Sequence, residues 1–297
     1  MQRLIVSLAL VTLITGTGLA ESKPDQIVPI WPDSPPAWVA PDLPERDTTE
    51  ADGRTVAGRR VIRLGNVSTP ELHIYQPKSE SSDTAVLICP GGGYNILAWD
   101  LEGTEIAEWL RGLGITAIVV KYRVPSRNSD PMWLAPVQDI QRGLSLVGSG
   151  AIEGVAPKQI GLLGFSAGGN AAARTATASE RHYEPVDDTD QSDLSPDFSV
   201  LVYPAWLVER DSPSQLIEEI QVTDRTPPMF FAHAFDDRVS CMSSVTLFSE
   251  LQKRGIASSL HVFASGGHGF GGRDAASPTD AWRGLCESWM REQGFVE

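Results

Sequence analysis

The sequence predicts an α/β fold with a mostly parallel central sheet of about eight strands and helices on both faces. Three observations predict it. Short apolar runs rich in Val, Ile and Leu recur along the chain, stretches with a helical apolar stripe lie between them, and glycine-rich turns follow several of the runs. Continuous apolar runs, rather than alternating ones, are what strands buried on both faces need. Their alternation with helices implies parallel pairing and a sheet covered on both sides.

Taken in chain order, the first twenty residues read as a targeting segment. Arg3 supplies a positive start, Leu4 to Ile14 an apolar run, and Gly18-Leu19-Ala20 a small-residue cleavage site. The run is too short to span a bilayer, so a secretory signal peptide over 1–20 is expected, and a secreted or periplasmic protein with no membrane attachment after cleavage. Residues 21–58 are rich in Pro and charge and show no helical or strand period. They read as an extended lead-in that wraps the domain, pinned to its surface by Trp31 and Trp38. A single catalytic domain is expected over 59–297.

Within it, strands are expected at Arg60–Leu64, Leu72–Tyr75, Ala85–Cys89, Thr116–Lys121, Ile160–Phe165, Phe198–Tyr203, Met229–His233 and Leu260–Phe263. Helical stripes comprise Ile106, Trp109, Leu110 and Leu113; a run from about Leu134 to Val147; a segment after Ser166; Val245, Phe248 and Leu251; and Trp282, Leu285, Cys286, Trp289 and Met290. The net charge of −14 argues against nucleic acid or an anionic membrane surface as a partner. The three cysteines, Cys89, Cys241 and Cys286, have no metal-type spacing and leave open whether one pair is bonded.

Gly164-Phe165-Ser166-Ala167-Gly168 follows an apolar strand and opens a small-residue helix. That context is what a nucleophile elbow requires: the serine sits on a strained strand-to-helix turn, and the crowded backbone leaves no room for side chains two residues either side. Five histidines compete for the base. His268 stands on the bare glycine loop Ser265–Gly272 directly after a strand, with no packing role to explain it. His233 ends a strand before an acidic loop and reads as supportive.

For the acid, Asp236 and Asp237 follow the strand Met229–His233. Asp236 is preferred, because Val239 can re-enter the core and fix the loop while Asp237 can face Arg238 or solvent. The order Ser166, Asp236, His268 is the order in which such a fold delivers its triad, each just past the C-terminal end of a strand. The Pro90-Gly91-Gly92-Gly93-Tyr94 turn offers backbone N–H groups for an oxyanion; Gly92, Gly93 and Ala167 are the candidate donors. Tyr94, Trp99, Tyr203 and Trp206 flank these loops and are candidates to stack on a sugar. Asp187, Asp188, Asp190 and Asp193 read as a solvated acidic loop rather than a Ca²⁺ site, since the spacing lacks the EF-hand glycine and final Glu. No other metal-ligating pattern appears.

Together Pro90–Tyr94, Glu102-Gly103, Lys121-Tyr122-Arg123-Val124-Pro125, Gly164–Gly169, Tyr203-Pro204-Ala205, Asp236-Asp237-Arg238-Val239 and Gly267–Gly271 resemble the α/β-hydrolases around the BD-FAE-like and acetylxylan-esterase-like enzymes. These are related to the hormone-sensitive-lipase and dienelactone-hydrolase branches. The resemblance covers essentially all of 60–295 and implies a serine carboxylesterase acting without a cofactor, often on acetyl or feruloyl groups of plant polysaccharide. One departure is Pro90, where lipase-like members carry His. A prolyl-oligopeptidase-type peptidase shares the triad but needs a capping propeller for which the chain has no room. A glycoside hydrolase, the activity some relatives are labelled with, needs paired carboxylates facing a sugar, and no such pair stands out.

Overall fold

The computed structural model describes residues 23–36, 40–78 and 81–296. The expected signal peptide and Trp38 lie outside the described residues. Eight strands form the central sheet: β1 (Gln26–Pro29), β2 (Glu71–Tyr75), β3 (Thr84–Cys89), β4 (Thr116–Lys121), β5 (Gln159–Phe165), β6 (Phe198–Val202), β7 (Met229–Ala234) and β8 (Ser259–Phe263). Their spatial order is β1-β2-β4-β3-β5-β6-β7-β8. β1 pairs antiparallel with β2, and β2 with β4; every other pairing is parallel.

Every residue of β3, β6 and β7 is buried, so layers cover both faces of the sheet, as their unbroken apolar sequence demands. The helices are α1 (Glu105–Gly112), α2 (Leu134–Gly148), α3 (Ser166–Thr177), α4 (Met242–Lys253) and α5 (Trp282–Glu292). α1 and α5 meet through Trp109 and Trp282, whose rings cross at 71° with centroids 5.3 Å apart. Because β3, β5, β7 and β8 run parallel, their C-terminal ends open on one edge of the sheet, where α/β folds build their sites.

Two expectations are corrected. The run Arg60–Leu64 is no central strand. Arg59–Arg60 pairs with Thr55–Val56 in a small hairpin, and Arg63–Gly65 joins Arg46–Asp47 and Ile96–Ala98 in a separate three-stranded sheet. The eighth central strand is instead β1, inside the stretch expected to be an extended lead-in. Its burial alternates weakly, with Ile27 half exposed, because an edge strand covers only one face; four residues of such alternation carry too little period to stand out.

The lead-in is also fastened below its surface. Trp31 is 6% exposed, and its indole N–H donates to Asp139 Oδ1 at 2.7 Å. Asp139 lies against Arg123, and neither side chain has any solvent exposure. Burial pushes the Asp139 carboxyl up, and the Arg123 guanidinium opposes that shift. Arg123 also reaches the Pro36 carbonyl at 2.9 Å, so one buried ion pair ties the N-terminal stretch, α2 and the end of β4 together. Removing one member of such a pair leaves the other charged and unsolvated. Asp139→Ala is expected to lower unfolding stability by about 3–5 kcal/mol, read from urea denaturation; a loss below about 1 kcal/mol would show the pair to be dispensable.

Candidate active site

The turn between β5 and α3 places Ser166 at φ +50°, in the left-handed region. A non-glycine residue there is strained, and the surroundings explain its glycines. A Cβ on Gly168 would come within 2.1 Å of the Cys89 carbonyl oxygen, and one on Gly164 within 2.6 Å of the Gly168 carbonyl oxygen. The helix therefore starts hard against the ends of β3 and β5 and lifts Ser166 above the sheet edge.

Ser166 Oγ is 2.8 Å from His268 Nε2. The loop after β8 delivers the imidazole, and Arg54, from the turn before the small hairpin, braces that loop by donating to the carbonyls of His268 (2.5 Å) and Gly269 (2.9 Å). Arg273 anchors the hairpin in turn: its side chain is 3% exposed, pairs with Asp100 and Glu105, and donates to the carbonyls of Arg59 and Arg60.

On the far side of the ring, His268 Nδ1 is 2.8 Å from Asp237 Oδ2. The acid of this line is thus Asp237, and the expected Asp236 is displaced from it. Asp236 is exposed and accepts a hydrogen bond from the Gly267 N–H at 2.8 Å, holding the histidine loop from outside. The reason lies in the turn. Asp237 Oδ1 accepts the N–H of Val239 two residues on, at 2.7 Å, an Asx turn that folds its carboxylate inward. His233 Nε2 lies 3.3 Å from the other oxygen and 3.0 Å from the Val239 carbonyl, and its Nδ1 is 2.9 Å from Ser244 Oγ. Burial works against charge on Asp237, but the hydrogen bonds from His233, His268 and Val239 outweigh it and hold the carboxyl well below the usual carboxylate range.

The glycine turn after β3 lies across from Ser166. The Gly91 N–H is already used, donating to Glu102 Oε2 at 2.8 Å. Among the described residues the N–H groups of Gly92 and Gly93 have no hydrogen-bond partner, and both residues line the cavity above Ser166. Ala167 is in the first turn of α3, whose N–H groups lack partners within the helix. Gly92 and Gly93 thus line one cavity with the serine, and Ala167 follows it directly in the chain. The cavity measures about 290 Å³.

Of the four aromatic candidates, only Trp206 lines this cavity. Tyr94 and Tyr203 are fully buried and Trp99 is 8% exposed, so none of the three offers a ring to a ligand. They hold the loops instead. Tyr94 donates to Asn170 Oδ1 at 2.9 Å. Tyr203 donates to Glu102 Oε1 at 2.8 Å and accepts from the Gly271 N–H at 3.0 Å. Glu102 therefore joins the glycine turn to the histidine loop through Tyr203, a role that sequence reasoning missed; a Glu just before a glycine on a helix start carried no charge partner to flag it. The acidic loop is neutralised from within. Asp187 pairs with Arg142, and Asp190 with Arg142 and Arg181; Asp190 is buried, while Asp187, Asp188 and Asp193 are exposed to solvent. Cys89, Cys241 and Cys286 are unpaired, and burial pushes the thiols of Cys89 and Cys286 up.

The family described as alpha/beta hydrolase fold matches residues 86–245, over half of the chain. An acetylxylan esterase of Xylanibacter ruminicola is 28% identical over 239 residues, which are 72% of this chain and 46% of that protein. An endo-1,4-beta-xylanase B of Butyrivibrio fibrisolvens is 29% identical over 223 residues, 67% of this chain and 34% of that protein. The chain thus spans between a third and a half of the curated relatives it matches. An acetyl ester-xyloside bifunctional hydrolase from Caldicellulosiruptor lactoaceticus superposes with a TM-score of 0.70 at 26% identity, covering 95% of this chain and all of that one.

Asparagine in place of Asp237 would lose the charge facing Nδ1 and misorient the ring. Asp237→Asn is expected to lower kcat by about ten-thousandfold, while Asp236→Asn, which alters one solvent-side hydrogen bond, changes it less than about tenfold. Steady-state hydrolysis of p-nitrophenyl acetate reads both, and equal losses would undo the distinction drawn between the two aspartates.

Proposed function

Because the chain belongs to the alpha/beta hydrolase family, we propose that it is a serine carboxylesterase that removes acyl groups, acetyl foremost, from carbohydrate. The observation that carries this reading is the unbroken line from Ser166 Oγ through His268 to Asp237, at a cavity flanked by the free amides of Gly92 and Gly93. His268 Nε2 takes the serine proton as Oγ attacks the ester carbonyl. The Gly92, Gly93 and Ala167 amides donate to the oxyanion. Collapse of the tetrahedral intermediate breaks the ester C–O bond, and His268 returns its proton to the leaving alcohol. Water then repeats the sequence on the acyl-enzyme, while Asp237 stabilises the imidazolium at each stage.

The names of the acetylxylan esterase and the acetyl ester-xyloside hydrolase support acetyl as the acyl group and a xylose-based carbohydrate as the alcohol; a feruloyl ester is the alternative. The xylanase name favours glycosidic cleavage. Such cleavage needs two carboxylates flanking the sugar, and among the described residues Glu102 is the one carboxylate lining this cavity, buried and engaged on both oxygens. Export to the periplasm or medium rests on the charged, apolar and small-residue segments of 1–20. Among the described residues no helix is long and apolar enough to cross a membrane.

Acetate release from acetylated xylan tests the reading. Ser166→Ala is expected to reduce kcat by at least about a thousandfold, with no reducing sugar liberated from xylan and no cleavage of an aminoacyl-p-nitroanilide by either form. A variant rate above a tenth of wild type would remove Ser166 from its role.

A further inference from the structure

The cavity above Ser166 is more basic than the chain that encloses it. The protein has 38 acidic against 24 basic residues, yet among the described residues the cavity is lined by Arg54, Arg63 and Arg238 and by one carboxylate, Glu102. Glu102 is no counter-ion for them, since it is buried and accepts from the Gly91 N–H and the Tyr203 hydroxyl. Arg54 is committed to the carbonyls of His268 and Gly269. Arg63 and Arg238 are committed to nothing: among the described residues their exposed guanidinium groups have no hydrogen-bond or ion-pair partner.

Both nevertheless leave from fixed backbone. Arg63 pairs with Ala98 in the three-stranded sheet, and its N–H donates to Thr49 Oγ1 at 2.9 Å. Arg238 sits between Asp237 and the Val239 N–H that closes the Asx turn. A further cation, Arg127, lies 4.4 Å over the ring of Trp206, which lines the same cavity. Unbalanced cations around one concave site focus a positive potential into it, and the guanidinium fork matches a carboxylate in two-point geometry. A neutral sugar can accept hydrogen bonds from a guanidinium but offers no charge to balance it.

We propose that Arg63 and Arg238 form a subsite for a carboxylate on the alcohol half of the ester, so that the substrates are acyl esters of uronate-bearing oligosaccharides. The proposal rests on the esterase reading above and names its substrate class. The acyl half cannot supply the charge when it is acetyl, which leaves the sugar to carry it.

The test compares kcat/KM for three acetylated oligosaccharides of equal length, one neutral, one bearing a uronate and one bearing a sulfate. For the wild-type protein the uronate substrate is expected to be preferred over the neutral one by about fivefold or more, what two partly exposed charge pairs supply. That preference shrinks as salt is raised. In Arg63→Gln/Arg238→Gln the ratio of acidic to neutral kcat/KM falls by a similar factor, through KM rather than kcat. Equal wild-type rates on the acidic and neutral substrates, or a salt-independent ratio, would overturn the subsite without any variant. An unchanged ratio in the folded double variant, or preference for the sulfate, would also overturn it. Hydrolysis of none of the three overturns the esterase reading, and the subsite with it.

Discussion

The hydrogen bond between His268 Nδ1 and Asp237 Oδ2 is the contact on which the site depends. An imidazole can accept a hydrogen bond from Ser166 at Nε2 only when Nδ1 carries the hydrogen, and an ionised carboxylate facing Nδ1 favours that tautomer. A side chain with no exposure resists ionisation. The structure overcomes this by giving Asp237 several donors at once, the Val239 N–H and the rings of His233 and His268. His233 is therefore not a spare histidine near the action. Its contact with Ser244 Oγ links that carboxylate to the start of α4.

A second buried carboxylate does a different task. Glu102 has its oxygens on the Gly91 N–H and the Tyr203 hydroxyl, and Tyr203 accepts the Gly271 N–H. The Gly91–Gly93 turn and the His268 loop are thus fixed relative to each other through one acid and one phenol. Burial pushes the Glu102 carboxyl up, yet both groups facing it are donors, which suits an acceptor on each oxygen. Tying two loops through buried polar groups in this way gives rigidity only when every member is satisfied, and here both carboxylate oxygens are.

Much of this was legible from residue patterns, and the rest failed for identifiable reasons. Seven of the expected strands and the five helices belong to long apolar periods, which tertiary packing has no cause to override. Ser166 and His268 were legible because a glycine frame leaves a polar residue with no packing role. Asp237 escapes pattern reading because the choice between neighbours turns on one backbone N–H: the sequence shows Val239 as an apolar side chain able to anchor the loop, whereas its amide is what draws Asp237 inward. Tyr94, Tyr203 and Trp99 were read as substrate platforms because aromatic type and loop position are visible in sequence. The buried hydroxyl partners that fix the two tyrosines, Asn170 and Glu102, are not.

The N-terminal stretch shows where pattern reading has least purchase and structure most. No long period marks residues 21–58, yet β1 extends the sheet, Trp31 seals the Arg123–Asp139 pair, and Arg54 holds the carbonyls of His268 and Gly269. Each joins residues more than forty positions apart in sequence, and none is carried by a period long enough to stand out: β1 pairs over only four residues, and the Trp31 and Arg54 contacts are made by single side chains. A loop of bare glycines around His268 has little stiffness of its own, so its position must be imposed from outside. Asp236, Tyr203 and Arg54 impose it from three different segments. The freedom that marks His268 as a base in the sequence is therefore the freedom that the fold removes.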